Sequence, residues 1–432
     1  MLAASVGDMA AGEPDKWTLR DCIEYALENN ITVKTGKLSV LSSAEDVSEA
    51  KSQMFPSLTF STTHQGSYMP FPEKNGNGSA DHLSYTGDYG LNASWTIYDG
   101  SKRKNNISQK ELSGEQAELS LAESSNTIQE QIVKLYVQIL YVTEAVNVNA
   151  QILAISKQNA SRGEEMYKVG SLSKADLSQL KAQVATDEYN LVNIKGQLEE
   201  CKLEMKDLLR LGYDSSFDIA LPSSSDEQAQ SEVPLAADVL NAAYANRPEI
   251  MAALLDVKYS ALGIDIAKAG MKPTLNLSGG IGSNTMSGTG MGWGSQMKGN
   301  LNTALGFTLS VPIFDNRSTK TAVNKAKINM QQAQLNADDA KNELALTVQG
   351  FCINANTNQQ RFVAAKASVE SAQDSYDLLS EQFRLGLKNI VELTNAKTVL
   401  LNAQQSRLES KYMAILYIQL LKFYKGEEMN II

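Results

Sequence analysis

The sequence predicts an α+β membrane protein in which one unit of long helical hairpins and β-strands occurs twice. Three observations predict it. The 432-residue chain matches itself at an offset of 217, and further along at 216, so one half-length unit fills it. Two proline-free stretches, 102–221 and 315–432, are rich in helix-favouring residues. Four segments alternate between apolar and small polar residues, which is the period of a β-strand.

The internal repeat is carried by matched residues in both halves. At the offset of 217 the matches include Asp21 with Asp238, Ala26 with Ala243, Lys51 with Lys268 and Pro56 with Pro273. At the offset of 216 they include Gly170 with Gly386, Leu177 with Leu393 and Lys181 with Lys397. This period is longer than that of a solenoid. It predicts two copies of one complete module around a pseudo-symmetry axis.

Each repeat is predicted to contain a helix, a β-hairpin, a very long helix, a turn and a return helix. The first repeat covers 17–211, with one helix over 18–53, the hairpin over 57–98, the long helix over 102–168 and the return helix over 173–211. The second covers 235–425, with the hairpin over 274–314, the long helix over 316–384 and the return helix over 388–425. The remaining segments are an N-terminal extension (1–16), a surface linker with little structure (212–234) and a C-terminal tail (426–432).

The predicted strands have one apolar face and one face of Ser, Thr, Asn and Gly. The two longest apolar rows are Leu83, Tyr85, Gly87, Tyr89, Leu91, Ala93, Trp95, Ile97 and Leu301, Thr303, Leu305, Phe307, Leu309, Val311, Ile313. Strands of soluble sandwiches run about five or six residues, and a sandwich remains the alternative on the strands alone. Runs of this length with aromatics on the apolar face are typical of membrane barrels. The side chains expected to face lipid are Trp95, Tyr89, Tyr85, Phe60 and Phe307, with Trp95 and Phe60 near one membrane–water interface. The glycine-rich stretch 279–294 is predicted to be an exposed loop.

The long helix over 102–168 carries a coiled-coil seam. Its apolar residues recur at alternating steps of four and three, as Ile128, Ile132, Leu135, Ile139, Val142, Val146 and Leu153, with Asn149 at the remaining seam position. A second apolar stripe contains Val133, Val137, Leu140, Val148, Ile152 and Ile155. A helix with two seams contacts two neighbours, which favours a curved wall of helices roughly 100 Å long.

Four strands cannot close a barrel, and open sheet edges are not tolerated in lipid because their backbone groups would be unsatisfied. Several copies must therefore combine their strands. Two copies would give a barrel filled by its own side chains, whereas the small inner residues favour an open lumen. We therefore expect three copies that form a 12-stranded β-barrel, continued by an α-helical barrel. This arrangement is a hollow conduit.

Composition excludes several other classes. The formal net charge of −10 provides no basic surface for nucleic acid. No apolar run approaches the length of a transmembrane helix, and the mean hydropathy is −0.26. The two histidines, His64 and His82, lie in one hairpin without the spacing of a metal or catalytic site. The sequence therefore predicts no enzyme activity, no metal and no cofactor, and the three cysteines are expected to pack between helices.

Three features of the chain carry a resemblance: the duplicated helix–hairpin–helix unit, the proline at each strand entry, and the turns at 167–170 and 383–386. In these features the chain resembles the TolC family of outer-membrane efflux channels of Gram-negative bacteria. The resemblance covers 17–426. It implies a homotrimer whose barrel contacts outer-membrane lipid and whose helical tunnel lies in the periplasm. It also implies docking onto a periplasmic adaptor protein that is coupled to an inner-membrane pump. The function would be the exit step of efflux or of type I secretion, for small molecules or polypeptides. A soluble coiled-coil scaffold is the alternative.

The resemblance also implies site residues. The adaptor-docking tips would be Val169, Gly170, Ser171 and Leu172 in one turn, and Leu385, Gly386 and Leu387 in the other. The periplasmic gate would comprise Glu392, Asn395, Asp176, Lys388 and Phe383. In these roles Glu392 forms an acidic ring, the uncharged Asn395 removes the second ring, and Phe383 lacks the hydroxyl that would bond Asp176. Asp176 and Glu392 also lie in first helical turns, where the helix dipole favours acids, and Leu172 and Leu387 could pack within a hairpin.

Overall fold

The fold is known from a computed structural model that describes residues 16–71, 82–212, 214–221 and 225–431. The predicted N-terminal extension therefore lies almost entirely outside the described residues. The elements in chain order are α1 (Leu19–Asn29), α2 (Ile31–Ser52), β1 (Ser57–Tyr68), β2 (Leu83–Tyr98), α3 (Lys102–Lys168), α4 (Lys174–Leu209), α5 (Ser225–Ala229), α6 (Ala236–Asn246), α7 (Pro248–Ala269), β3 (Thr274–Met286), α8 (Trp293–Gly299), β4 (Asn302–Ser310), α9 (Ser318–Arg384) and α10 (Ile390–Lys425).

The elements confirm that the chain is a tandem duplication. Helices α1 and α6 each have 11 residues, and α2 and α7 each have 22. Helices α3 and α9 each have 67 residues, and α4 and α10 each have 36. Helices α6, α7, α9 and α10 and strand β3 begin 217 or 216 residues after their counterparts, as the sequence offsets predict, and β4 begins 219 residues after β2. Both repeats therefore have the same architecture.

The chain divides into two compact units, and the first of them contains residues of 1–37, 119–251 and 338–432. The largest hydrophobic core of this unit includes the predicted seam of α3. The seam residues Ile128, Ile132, Ile139 and Val142 are all buried in it. Asn149 is also buried and bonds the carbonyl of Ala145 at 2.8 Å. Among the described residues, α3 contains a stretch long and apolar enough in composition to cross a membrane, and 44% of that stretch is buried inside the fold.

The first helix of the repeat is two helices, so the predicted single helix over 18–53 is wrong. Thr18 caps α1 and completes a capping box with Asp21. The break comes at Asn30, which leaves helical geometry with ψ 134°. Its side-chain amide donates to the carbonyl of Leu208 at 3.0 Å and accepts from the backbone N–H of Thr32 at 2.8 Å. These bonds satisfy the backbone at the break and begin α2.

The prediction of an unstructured surface linker over 212–234 is also wrong for its described part. Phe217 and Ile219 are buried, and the backbone of Trp17 bonds Asp218 and Ala220 on either side of a parallel bridge to Ile219. Helix α5 follows. The segment therefore packs into the helical core. The described end of the predicted tail does the same, because Met429 and Ile431 are buried.

The second unit contains 38–118 and 252–337, and its centre is one antiparallel sheet in the order β1-β2-β3-β4. The register places Phe60 opposite Leu91 and Leu91 opposite Ile281, so the predicted apolar rows share one face. Trp95, Leu277 and Phe307 align on this face as well. The opposite face carries rows such as Ser61, Gly90, Gly282 and Asn302. The two-faced character of the sheet is thus present in the fold.

Three details of the sheet differ from the prediction. Strand β4 ends at Ser310 rather than near Ile313, since Pro312 cannot donate to a strand ladder. The predicted apolar row of β2 includes Ile97, but the ladder shifts register between Thr96 and Tyr98, and it is Tyr98 that lies opposite Leu275. The glycine-rich stretch 279–294 is not a loop throughout, because β3 continues to Met286 and α8 begins at Trp293.

Candidate functional site

The helical turns after α3 and α9 have the same backbone structure. Gly170 and Gly386 adopt positive φ angles of 81° and 73°, which glycine adopts without steric cost. The N–H of Ser171 bonds the carbonyl of Met166, and the N–H of Leu387 bonds that of Gln382. These are helix-terminating bonds that satisfy the last carbonyls of each long helix.

The two turns present apolar side chains to solvent. Val169 is 79% exposed, Leu385 57% and Leu387 70%. Leu172 differs, because it is half-buried and packs against a hydrophobic cluster that includes Leu180. The exposed part of the two turns is therefore Val169, Gly170 and Ser171 after α3 and Leu385, Gly386 and Leu387 after α9, which we call the two tips. Leu172 supports the first hairpin from within.

The two acids predicted at the gate are equivalent positions of the duplicated unit. Asp176 and Glu392 are 216 residues apart, and each is the third residue of a return helix. The N-cap side chains Ser173 and Asn389 accept from their backbone N–H groups, both at 3.0 Å. Asp176 also accepts from the Ser173 hydroxyl at 2.7 Å. Both acids therefore stabilise a helix N-terminus in addition to any other role.

The other predicted gate residues fall into different environments. Lys388 forms an ion pair with Glu392 at 2.6 Å, with both side chains 40% exposed. Asn395 is exposed on α10. Phe383, by contrast, is only 4% exposed and lies in the cluster with Leu180, Ile390 and Leu393. Lys388, Glu392 and Asn395 thus stand at the start of α10, while Phe383 holds the hairpin together.

A buried polar cluster lies close to this region, and the sequence analysis missed it. Lys397 Nζ contacts Asp187 Oδ2 at 2.5 Å and Ser156 Oγ at 2.8 Å, with both charged side chains 4% exposed. The Ser156 hydroxyl and the Gln183 amide also donate to the Asp187 carboxylate. Burial lowers the pKa of Lys397, while the hydrogen bond and charge of Asp187 act in the opposite direction. The cluster joins α3, α4 and α10.

The offset of 216 relates Lys397 to Lys181, which has a different environment. Lys181 pairs with Glu164 at 2.7 Å on the surface, with side-chain exposures of 57% and 46%. The hydrogen bond to Lys181 lowers the pKa of Glu164. The duplicated unit thus has one buried and one exposed lysine at equivalent positions, so the two hairpins are not interchangeable.

Within the described ranges, no group of three or more His, Cys, Asp or Glu side chains is arranged to hold a metal ion. His64 instead bonds the Tyr85 hydroxyl and the Thr62 hydroxyl through its two ring nitrogens. His82 contacts the carbonyl of Met69. Both histidines therefore take part in hydrogen bonds within the first hairpin.

Comparison with known proteins identifies the family. The family model described as outer membrane efflux protein matches residues 22–209 and 239–416, which together span both repeats. The chain belongs to the outer membrane efflux protein family. Among its curated relatives, the outer membrane protein TolC of Salmonella enteritidis is 24% identical over 389 residues, covering 88% of this chain and 76% of that protein.

Solved structures of this family have the same fold. A structure of CusC superposes with a TM-score of 0.81 at 16% identity, covering 97% of this chain and 96% of that chain. The outer membrane protein VceC of Vibrio cholerae gives a TM-score of 0.76 at 18% identity, covering 95% and 97%. The combination of helical barrel and β-strands is that of outer-membrane efflux channels, a class of channels rather than enzymes. Membership of the outer membrane efflux protein family indicates an efflux role in the outer membrane of Gram-negative bacteria.

Proposed function

We propose that three copies of the chain form the outer-membrane exit channel of a tripartite efflux or type I secretion system. The observation that carries this proposal is the open sheet. Among the residues that the structure describes, strands β1 and β4 each have a neighbour on one side only, and the face that includes Phe60 and Phe307 is exposed and apolar. In lipid these edges must pair, so β4 of one copy is expected to pair with β1 of the next. Three such sheets make a closed barrel of twelve strands.

In this proposal the helical unit forms a tunnel in the periplasm, and the two tips dock onto an adaptor protein coupled to an inner-membrane pump. The exposure of Val169, Leu385 and Leu387 at the ends of rigid helices supports the docking role. Apolar side chains that are exposed together and held by defined turns are suited to burial by a partner. The transported compounds would be small molecules or polypeptides delivered by the pump.

Tip variants test the docking role in cells that lack their own channel. Val169→Asp and Leu387→Asp are expected to abolish export, because each would bury an unpaired charge at the adaptor contact. Tyr189→Asp is the matched control, since Tyr189 is 71% exposed on α4 but lies away from the tips. Export is measured as survival in toxic pump substrates, with channel abundance in the membrane followed in parallel. Normal export by both tip variants at normal abundance would exclude the tips as the docking surface.

We also propose that Glu392 constricts the periplasmic end of the channel. Three copies near the axis would attract cations and resist simultaneous ionisation, as in acidic selectivity rings. The resting channel should then be cation-selective, and divalent cations should block it from the periplasmic side. Asn395 leaves only one acidic ring, which limits the block.

Single-channel recordings in planar bilayers test the gate. Glu392→Gln should weaken the block, whereas Lys388→Ala should strengthen it by freeing Glu392 from its ion pair at 2.6 Å. Combining Lys388→Ala with Asp176→Ala should raise the resting conductance, because it loosens the start of both return helices. Anion preference, or a block unchanged in Glu392→Gln, would remove Glu392 from the constriction.

A further inference from the structure

Helix α8 lies against the apolar face of the sheet, at the end remote from the long helices. Ser283 and Thr285 lie at alternate positions of β3 together with Leu277 and Ile281, so all four side chains are on the apolar face of the strand. Both are nearly fully buried, at 6% and 3% exposed. The Ser283 hydroxyl donates to the carbonyl of Met297 in α8 at 2.9 Å. The helix therefore covers polar positions that would otherwise face outward.

Several bonds fix α8 in this position. The buried side chain of Gln296 accepts from the N–H of Met286 at 2.7 Å and donates to the carbonyl of Met286 at 3.1 Å and that of Met291 at 2.9 Å. Asn300 donates to the carbonyl of Asn284 at 2.7 Å. Because Gln296 of α8 and the flanking Asn300 both form hydrogen bonds with the backbone of β3, the helix is a fixed part of the sheet surface.

The exposed side of α8 has the composition of a membrane interface. Trp293, the first residue of α8, is 59% exposed, and Met291, two residues before the helix, is 57% exposed. The indole N–H of Trp293 donates to the Tyr89 hydroxyl at 3.2 Å, and the rings meet edge to face with centroids 6.1 Å apart. The indole is thereby held at the sheet with its polar edge satisfied and its apolar surface free. Tryptophan and tyrosine in this arrangement are typical of the boundary between acyl chains and headgroups.

The position of α8 along the sheet agrees with the thickness of a membrane. The apolar rows begin at Leu275, opposite Tyr98, and Ser283 lies eight residues further along β3, opposite Tyr89. At about 3.3 Å per residue and a strand tilt of about 40°, that is roughly 20 Å along the membrane normal, against an apolar band of about 25 Å in such barrels. Ser283, which α8 covers, therefore lies roughly 5 Å inside the outer limit of such a band, so α8 is near that limit.

We propose that α8 is an outer-leaflet anchor that seats Trp293 at the boundary between the acyl chains and the headgroups. The occupant of its exposed surface is membrane lipid, because that surface continues the apolar face of the sheet. The exposed Lys298 in the last turn supplies a cation for headgroup phosphates at the same depth. This inference rests on the proposed function, since it requires that the sheet enters a membrane.

Quenching of tryptophan fluorescence by brominated lipids tests the proposal on the full chain in vesicles. The bromine atoms are placed either near the carbonyl end or near the methyl end of the acyl chains. The chain has three tryptophans, and Trp17, which is 2% exposed in the helical unit, stays in place as an unquenched reference. Trp95→Phe leaves Trp293 as the second emitter, Trp293→Phe leaves Trp95, and the double variant leaves Trp17 alone.

The proposal predicts that the Trp95→Phe protein loses emission in brominated vesicles, and loses more with bromine near the carbonyl end. The double variant should lose almost none. If Trp293→Phe is quenched through Trp95 while Trp95→Phe is not quenched, the sheet enters lipid but α8 does not, and the inference is wrong. Stronger quenching of Trp293 from the methyl end would also overturn it. If neither variant is quenched, the membrane barrel itself is contradicted.

Discussion

The buried ion pair between Lys397 and Asp187 should be the most sensitive polar contact of the helical unit. Lys397→Met keeps the approximate length of the side chain but leaves the Asp187 carboxylate 4% exposed and without its cation. Removing one partner of a buried pair costs about 3–5 kcal/mol, since the remaining charge is neither solvated nor neutralised. The loss should appear as local opening of α4 and α10 around the cluster.

Amide hydrogen exchange measures that opening without requiring global two-state unfolding. A cost of about 3–5 kcal/mol corresponds to exchange faster by roughly 140-fold to 3,700-fold, at about 1.4 kcal/mol per factor of ten. The affected amides should be those of α4 and α10 next to Asp187 and Lys397. Replacing both partners, as Lys397→Met with Asp187→Leu, should restore most of the protection, because a buried pair is often no better than apolar side chains of similar volume.

The matched control is Lys181→Met at the equivalent position of the first repeat. Its pair with Glu164 is exposed, and such pairs contribute about 0–1 kcal/mol, so exchange should change by less than about tenfold. If Lys397→Met and Lys181→Met accelerate exchange equally, burial does not set the strength of the pair and the reasoning is refuted.

Two further predictions concern packing and the membrane face. Gly163→Ala should destabilise the hairpin of α3 and α4 by about 1–3 kcal/mol, because the added Cβ would lie 2.3 Å from Leu180 Cδ1. Gly196→Ala should instead stabilise α4 by about 0.5–1 kcal/mol, because its added Cβ would have no atom within 4 Å and alanine favours the helix. Thermal unfolding in detergent measures both, and a lower melting temperature for Gly196→Ala alone would contradict the prediction. Leu305→Arg should hinder barrel assembly by roughly 2–4 kcal/mol near mid-bilayer, while Ala304→Arg on the polar face should assemble. Equal yields of assembled channel from both arginine variants would show that the faces are wrongly assigned.

The sequence predicted the long elements well because their signals are local and repeated. The seam of α3 and the glycines at 170 and 386 placed the long helices to within two residues at each end. The alternation in the strands predicted both faces of the sheet, and the register confirms them. The break at Asn30 was missed because it depends on a bond to Leu208, 178 residues away in the chain.

The polar sites were harder to predict, for physical reasons. A lysine in a helix of mixed composition is normally solvated, and the partner that buries Lys397 lies 210 residues earlier in the chain. Helix α8 is short and glycine-rich, so it has no helical period to detect. The placement of Asp176 and Glu392 in first helical turns was predicted from the sequence, and the structure confirms it at two positions that the offset of 216 relates.

The central claim is that several copies of the chain close one barrel and form a conduit. The mass of the purified channel in detergent tests it most directly, by light scattering that separates protein from bound detergent. The account predicts three times the chain mass of 47.0 kDa, and precipitation when the detergent is removed. A particle of 47.0 kDa, or a form that stays dispersed in water without detergent, would contradict it.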